Sequence, residues 1–230
     1  MANRCLIKRN GQWVSFSPMK KVNGQWQRCP VYKKENGQWV RLDQQLVTKT
    51  KVISGYAQWN GSFRNSSGSG VAEASYSGAS DKLRIYQGRY SSYHHLGVMC
   101  FTDLFNQARN TGTITNVVLK LKNKHAYYNS GLKTIISGVH SLPSSRPSSL
   151  SFGVSNGADY SGQISFAKNG SEHKAITLNS ACRSAIQNNQ INGFRLVSPS
   201  GFSLNDYGYF EGEGSLRPYI EITVQYQVWE

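Results

Sequence analysis

The 230-residue sequence is short of acid: 12 Asp+Glu stand against 26 Lys+Arg, a formal net charge of +14. That balance argues against basic partners and for acidic ones, whether nucleic acid, teichoic acids, acidic glycans or an acidic protein surface. Cysteine is sparse. Cys5, Cys29, Cys100 and Cys182 are widely spaced, without a Cys-x-x-Cys pair, so a dense disulfide framework is excluded and the four read as free structural thiols. No stretch reaches the 18 apolar residues of a membrane span, and the opening MANRCLIKRN lacks the apolar run of a signal peptide. The expectation is a chain made and folded in a cytoplasm, without membrane insertion. There is no Gly-x-x-x-x-Gly-Lys-Ser/Thr loop and no His-Glu-x-x-His, which removes the commonest nucleotide and zinc-hydrolase signatures.

What is present is a repeat. Lys-x-Asn-Gly-Gln-Trp starts at Lys8, Lys21 and Lys34, so Asn10, Asn23 and Asn36, like Trp13, Trp26 and Trp39, recur every 13 residues. Asn-Gly favours a type I′ turn, which needs positive φ at both central positions, so each repeat is expected to be a β-hairpin. Counting outward from the turn pairs Arg9 with Gln12 and then Lys8 with Trp13, Lys21 with Trp26 and Lys34 with Trp39. Such pairing lets a lysine stem cover the indole and its ammonium approach the ring. A 13-residue unit buries too little to fold alone, so the hairpins are expected to stack on each other, on the rest of the chain or on another protein. Packing of the tryptophans between repeats is the plainest role for them, and a docking surface uses the same contacts. Charge follows the same division: residues 1–51 hold 11 Lys+Arg and 2 Asp+Glu, residues 52–230 hold 15 and 10.

Two regions are therefore expected, residues 1–50 as a basic hairpin stalk or anchor and residues 51–230 as a second domain, with 43–55 a joining strand or linker. Beyond Tyr56 the chain is rich in Gly, Ser, Asn and Tyr and carries short strand patterns at 82–88, 96–101, 114–123, 132–140, 176–178, 193–198 and 217–229. Gly/Ser/Asn/Pro clusters separate them, the mark of an all-β antiparallel sandwich or jelly roll. VVLKLK and YIEITVQYQV alternate at period two, predicting strands with one buried and one wet face. Short helices are predicted around 101–110 and 178–190, the latter capped by Asn179 or Ser180 with Ala181, Cys182, Ala185 and Ile186 on its apolar stripe.

Candidate chemistry is thin. His94 and His95 are adjacent in a strand pattern and would point to opposite faces, which does not make a metal site. Glu211 and Glu213 resemble a glycosidase carboxylate pair only in spacing, since both lie on one Gly-containing segment. With Asp206 they form a candidate structural calcium set, because hard cations take oxygen clusters; a solvated loop is the plainer reading. No catalytic residue, metal ligand or other cofactor is assigned. No recognised nucleic-acid module accompanies the charge, so no nucleic-acid partner is expected. Glycan recognition needs flat aromatics and amide, hydroxyl or guanidinium groups, and the loops supply Tyr56, Trp59 and Arg64, then Tyr86, Arg89, Tyr90 and Tyr93, then Tyr127 and Tyr128, then Asp206, Tyr207 and Tyr209. Packing inside a sandwich or at an oligomer interface is the alternative for each.

The repeated Lys-x-Asn-Gly-Gln-Trp unit resembles hairpin repeats of tail, baseplate and fibre proteins of bacteriophages. From about Lys51 the chain resembles carbohydrate-binding jelly-roll modules of phage fibres and bacterial surface proteins, through its Ser/Gly/Tyr-rich opening, ITNVVLKLK, a helix before Gly-Phe-Arg-Leu, and the terminal Arg-Pro-Tyr-Ile-Glu-Ile-Thr-Val. The resemblance implies a non-enzymatic virion protein with other tail proteins as partners, a host cell-wall saccharide as ligand, and a homo-oligomer, a trimer for a fibre-like protein. Lys8, Lys21, Lys34, Trp13, Trp26 and Trp39 would then serve assembly. A purely structural tail, neck or capsid part is the alternative, and a cell-wall glycosidase a more distant one.

Overall fold

A computed structural model describes residues 6–15, 18–41, 46–66, 71–73, 84–128, 130–151, 156–168, 170, 173–200 and 204–229. The chain divides into two compact units, Met1–Lys49 with Tyr226–Glu230, and Thr50–Gln225.

In the first unit the Asn-Gly turns do what their backbone preference requires. Asn10, Asn23 and Asn36 sit at φ 48°, 49° and 49°, and Gly11, Gly24 and Gly37 at 81°, 81° and 84°, the left-handed values of a type I′ turn. Each turn joins two four-residue strands: β1 (Leu6–Arg9) with β2 (Gln12–Ser15), β3 (Met19–Val22) with β4 (Gln25–Arg28), and β5 (Tyr32–Glu35) with β6 (Gln38–Arg41). Registers place Lys8 opposite Trp13, Lys21 opposite Trp26 and Lys34 opposite Trp39, as loop length dictates. Two expectations fail. Each hairpin is a separate two-stranded sheet, and Trp13, Trp26 and Trp39 are 66%, 67% and 70% exposed, so the tryptophans do not pack between repeats. Among the described residues no lysine ammonium of these pairs lies over its indole; the cation–π contacts belong to other residues. An exposed lysine head keeps its hydration in preference to a weak ring contact.

The second unit is an antiparallel β-sandwich. Its strands are β7 (Leu46–Tyr56, whose first residues belong to the other unit), β8 (Trp59–Ser66), β9 (Val71–Glu73), β10 (Ile85–Tyr90), β11 (Tyr93–Cys100), β12 (Thr113–Leu121), β13 (Asn123–Ala126) and β14 (Leu132–Val139). They continue as β15 (Ser149–Ser151), β16 (Asn156–Asp159), β17 (Ile164–Phe166), β18 (Lys174–Thr177), β19 (Gly193–Val197), β20 (Gly208–Phe210) and β21 (Tyr219–Trp229, whose last residues belong to the other unit). Helix α1 (Thr102–Thr111) follows β11 and helix α2 (Ser180–Gln187) follows β18. One sheet runs β18-β12-β21-β7; the larger runs β13-β20-β10-β11-β19-β14-β16, with β8 alongside β11 and β9 and β15 beyond it. Residues 43–55, expected to join the domains, thus supply an edge strand where they are described.

Period two decides which side chains enter the core. Val117, Leu119 and Leu121 from β12 and Ile220, Ile222 and Val224 from β21 are fully buried, while the residues between them are half exposed. They meet Met99, Ile136, Phe194, Leu196 and Phe210 from the larger sheet in one cluster. Burying each such side chain contributes about 1.5–3 kcal/mol. Phe194 is the aromatic centre, with Phe105 at 5.6 Å, Phe101 at 5.9 Å and Tyr160 at 6.3 Å. Helix α2 is capped as expected, the Asn179 side chain accepting from the Cys182 N–H at 3.1 Å. Its apolar stripe is Cys182, Ala185 and Ile186; Ala181 is exposed. Cys29, Cys100 and Cys182 are free thiols, and Cys5 lies outside the described residues. No helix among the described residues is long and apolar enough to cross a membrane.

Replacing the buried ring of Phe194 by Ala should lower stability by about 3–5 kcal/mol through lost transfer energy and a residual cavity. Chemical denaturation should report this as a lower midpoint at unchanged slope. A loss under 1 kcal/mol would show that the ring does not centre the core.

Candidate functional site

The larger sheet carries an aromatic face at β13, β20, β10 and the start of β11. Tyr86 and Tyr90 project from the same side of β10, two pleats apart, and Tyr86 lies opposite Tyr209 on β20. Tyr209 in turn lies opposite His125 on β13. The rings form a continuous set: Tyr86–Tyr209 at 4.8 Å, Tyr209–His125 at 5.3 Å, Tyr90–Tyr207 at 5.0 Å, Tyr90–Tyr127 at 5.8 Å and Tyr127–Tyr128 at 5.0 Å. Tyr86 and Tyr207 are buried and form the support; Tyr90, Tyr93, Tyr127 and Tyr128 are exposed. Guanidinium groups edge the set. Arg84 lies 4.6 Å over Tyr209 and donates to the Tyr86 hydroxyl at 3.4 Å, and Arg64 lies 4.6 Å over Tyr93. Arg89, expected from sequence to join them, lies opposite His94 on the other face of the hairpin and donates to the Ser91 carbonyl at 3.0 Å in the β10–β11 turn.

Buried polar groups hold this face in place from behind. Gln87, next to Tyr86 on β10 and fully buried, donates its amide to the Lys133 carbonyl at 2.6 Å and the Asp206 carbonyl at 3.1 Å. Asp206 is itself buried; its carboxylate accepts from the Ser198 hydroxyl at 2.7 Å and the Ser200 N–H at 3.2 Å. The 3₁₀ turn Leu204–Asp206 is thereby locked to β10, and Tyr207 with it. Gly88 is required here: its φ is +82°, and a Cβ would stand 2.7 Å from the Asp206 carbonyl oxygen.

Of the residues singled out from sequence, the structure brings together Tyr86, Tyr90, Tyr207 and Tyr209, along with Tyr127 and Tyr128, and sets Arg64 against Tyr93. It removes Trp59, which is 8% exposed, packs with Phe63, Leu96 and Val98, and donates its indole N–H to the Pro143 carbonyl at 2.8 Å. Trp59 is core. Tyr56 belongs to another cluster, edge-on to Tyr219 at 5.1 Å with the Arg217 guanidinium 4.4 Å above its ring. Asp206, Glu211 and Glu213 do not converge: Asp206 is engaged as above, Glu211 pairs with Lys124 at 2.8 Å, and no group of three metal-capable side chains occurs among the described residues. The calcium set is therefore corrected to two separate structural contacts and an exposed glutamate.

His94 and His95 point to opposite faces as their adjacency predicts, His95 opposite Arg64 and His94 opposite Arg89. His95 is buried against Tyr86 at 5.5 Å and Tyr207 at 5.4 Å. Burial, then the neighbouring Arg64 and His94, lowers its pKa to about 4. Burial and Arg89 lower that of His94 as well. Sequence reasoning missed the parts played by Arg84, His125 and His95, because pairing between β13, β20 and β10 brings together residues some 120 positions apart. It also missed a polar cavity of about 470 Å³ lined by Thr102, Asn106, Arg109, His140, Asn189 and Gln190. Arg109 is held at its wall by the Asn106 side chain and the Ile186 carbonyl, and the lining lacks a Tyr, Trp or Phe ring.

Comparison with known proteins finds no matching family model and no matching curated protein.

His95 makes the aromatic face acid-sensitive. Its folded pKa lies below the ordinary 6.5, so the unfolded chain binds the proton first and stability falls as pH drops from about 6.5 to about 4. The full effect is on the order of 3 kcal/mol. Thermal melting between pH 7 and pH 4 should show a decline attributable to this residue that His95→Gln flattens; an identical decline in that variant would show His95 is not its source.

Proposed function

We propose that the protein is a non-enzymatic structural component of a phage or phage-derived tail particle, in the tail, baseplate or fibre. The hairpin region anchors it to neighbouring virion proteins, and the sandwich binds a saccharide of the host cell wall. The observation that carries the saccharide reading is the aromatic face. Tyr90 and Tyr127, 43% and 42% exposed, present rings already packed against Tyr207 and each other, Tyr90 stacked and Tyr127 edge-on to Tyr207, and lose little freedom when a sugar C–H face covers them. Arg84 and the tyrosine hydroxyls supply donors for sugar hydroxyls. Single-site recognition of this kind is weak, and copies assembled on one particle, three in a fibre-like trimer, raise avidity without new contacts.

The test is binding of labelled full-length protein to purified walls from a panel of bacteria at two salt concentrations. Selective, salt-tolerant binding is expected, with Tyr90→Ala/Tyr127→Ala weakening it about tenfold, the scale of two aromatic contacts, at unchanged thermal melting. No wall binding by the unmodified protein would leave only the structural role. Wall hydrolysis that disappears in Glu211→Ala or Glu213→Ala would overturn the non-enzymatic assignment.

A further inference from the structure

The hairpin faces carry chemistry that anchoring alone does not use. Period two puts Lys8 and Trp13 on one face of the first hairpin, Met19, Lys21, Trp26 and Arg28 on one face of the second, and Tyr32, Lys34, Trp39 and Arg41 on one face of the third. The same indole–ammonium pair is thus presented three times, with the ring about two-thirds exposed each time. Lys8, Lys21, Arg28 and Lys34 have no ion pair among the described residues, whereas Lys33, on the reverse face, pairs with Glu35 at 2.7 Å.

Charge decides what covers these faces. A second copy would bring together two regions that each hold 11 cationic and 2 acidic side chains in residues 1–51, and like charges oppose that approach. A polyanion removes the repulsion. The indole face is flat and apolar and matches the C–H face of a pyranose, while the ammonium across the strand takes an anion. Single-stranded nucleic acid also combines flat rings with phosphates, but it is held where aromatics line a basic groove that follows successive bases. Here the indoles stand on three separate two-stranded sheets, and the amides of Gln12, Gln25 and Gln38 occupy the opposite faces, away from any stacked ring.

We propose that the hairpin region binds a linear anionic glycopolymer, one whose repeat sets a carboxylate or phosphate beside a sugar ring, with each hairpin holding one station along it. The Trp ring covers the sugar and the paired Lys holds the anion. This goes beyond the anchoring role and stands independently of saccharide binding by the sandwich, since the two sites share no residue.

The experiment follows anisotropy of end-labelled polygalacturonate and of glucosylated glycerol-phosphate teichoic acid on titration with full-length protein, with labelled dextran and oligothymidylate alongside. Saturable binding of both anionic glycopolymers and none of dextran is expected, weakening as salt rises. Trp13→Ala/Trp26→Ala/Trp39→Ala and Lys8→Gln/Lys21→Gln/Lys34→Gln should each lower affinity at least about tenfold, because three stations act together. All six positions are exposed, so thermal unfolding should stay unchanged and a loss of binding is not a loss of fold. Binding that survives the tryptophan variant would reduce the site to net charge, tighter binding of oligothymidylate would make it a nucleic-acid site, and absence of binding would remove it; each outcome overturns the proposal. The Tyr90→Ala/Tyr127→Ala variant should bind both polymers unchanged, which separates this result from that of the sandwich face.

Discussion

The dry layer between the two sheets of the sandwich is the constraint from which the rest follows. Val117, Leu119, Leu121, Ile220, Ile222 and Val224 can leave water only if β12 and β21 lie side by side with their apolar edges in step and a second sheet covers them. A slip of one residue in either strand would turn its three outward. Once this layer is set, Phe194 and the Phe101–Phe105 pair fill its middle, α1 and α2 are drawn against it through Phe105 and Ile186, and the larger sheet is left with a face directed away from that core.

That remaining face is where polar and aromatic groups collect. Gln87 shows how one strand serves both sides: its own amide is buried and ties β10 to the Asp206 turn, while its neighbours at 86 and two positions on at 88 and 90 build the opposite surface. The Gln87 amide donates at 2.6 and 3.1 Å and the Asp206 carboxylate accepts at 2.7 and 3.2 Å, which makes a stiff backing. The same burial holds His95 neutral among the rings. A rigid set of rings edged by arginines is suited to weak, reversible contacts with a flat, polar ligand, where ordering costs would otherwise cancel the small gain per ring.

The hairpins work by the opposite logic. Among the described residues they have turns and registers but no buried apolar side chain, so their geometry rests on Asn-Gly backbone preference and cross-strand pairing, and Trp13, Trp26 and Trp39 stay in water. A two-stranded sheet of this size is marginal by itself, which makes a covering partner part of its energetics. Spreading identical stations along a chain lets each be weak while the whole is not.

Some of this was legible in the sequence because the physics is local. Asn-Gly at a 13-residue period determined the three hairpins, their turn type and the Lys–Trp register, since two positive-φ residues and a two-residue loop leave no other pairing. Alternation in VVLKLK and YIEITVQYQV determined which side chains face the core, and Asn179 marked the start of α2. The site was only partly legible. Tyrosine is amphipathic, and its sequence context does not separate Tyr86, buried as support, from Tyr90, exposed as surface; nor could it withdraw Trp59 into the core. Those outcomes, like the neutral state of His95 and the pairing of Glu211 with Lys124, were decided by the tertiary structure, because strand order brings residues 84–95, 123–128 and 204–210 into one patch and sets how much water reaches each.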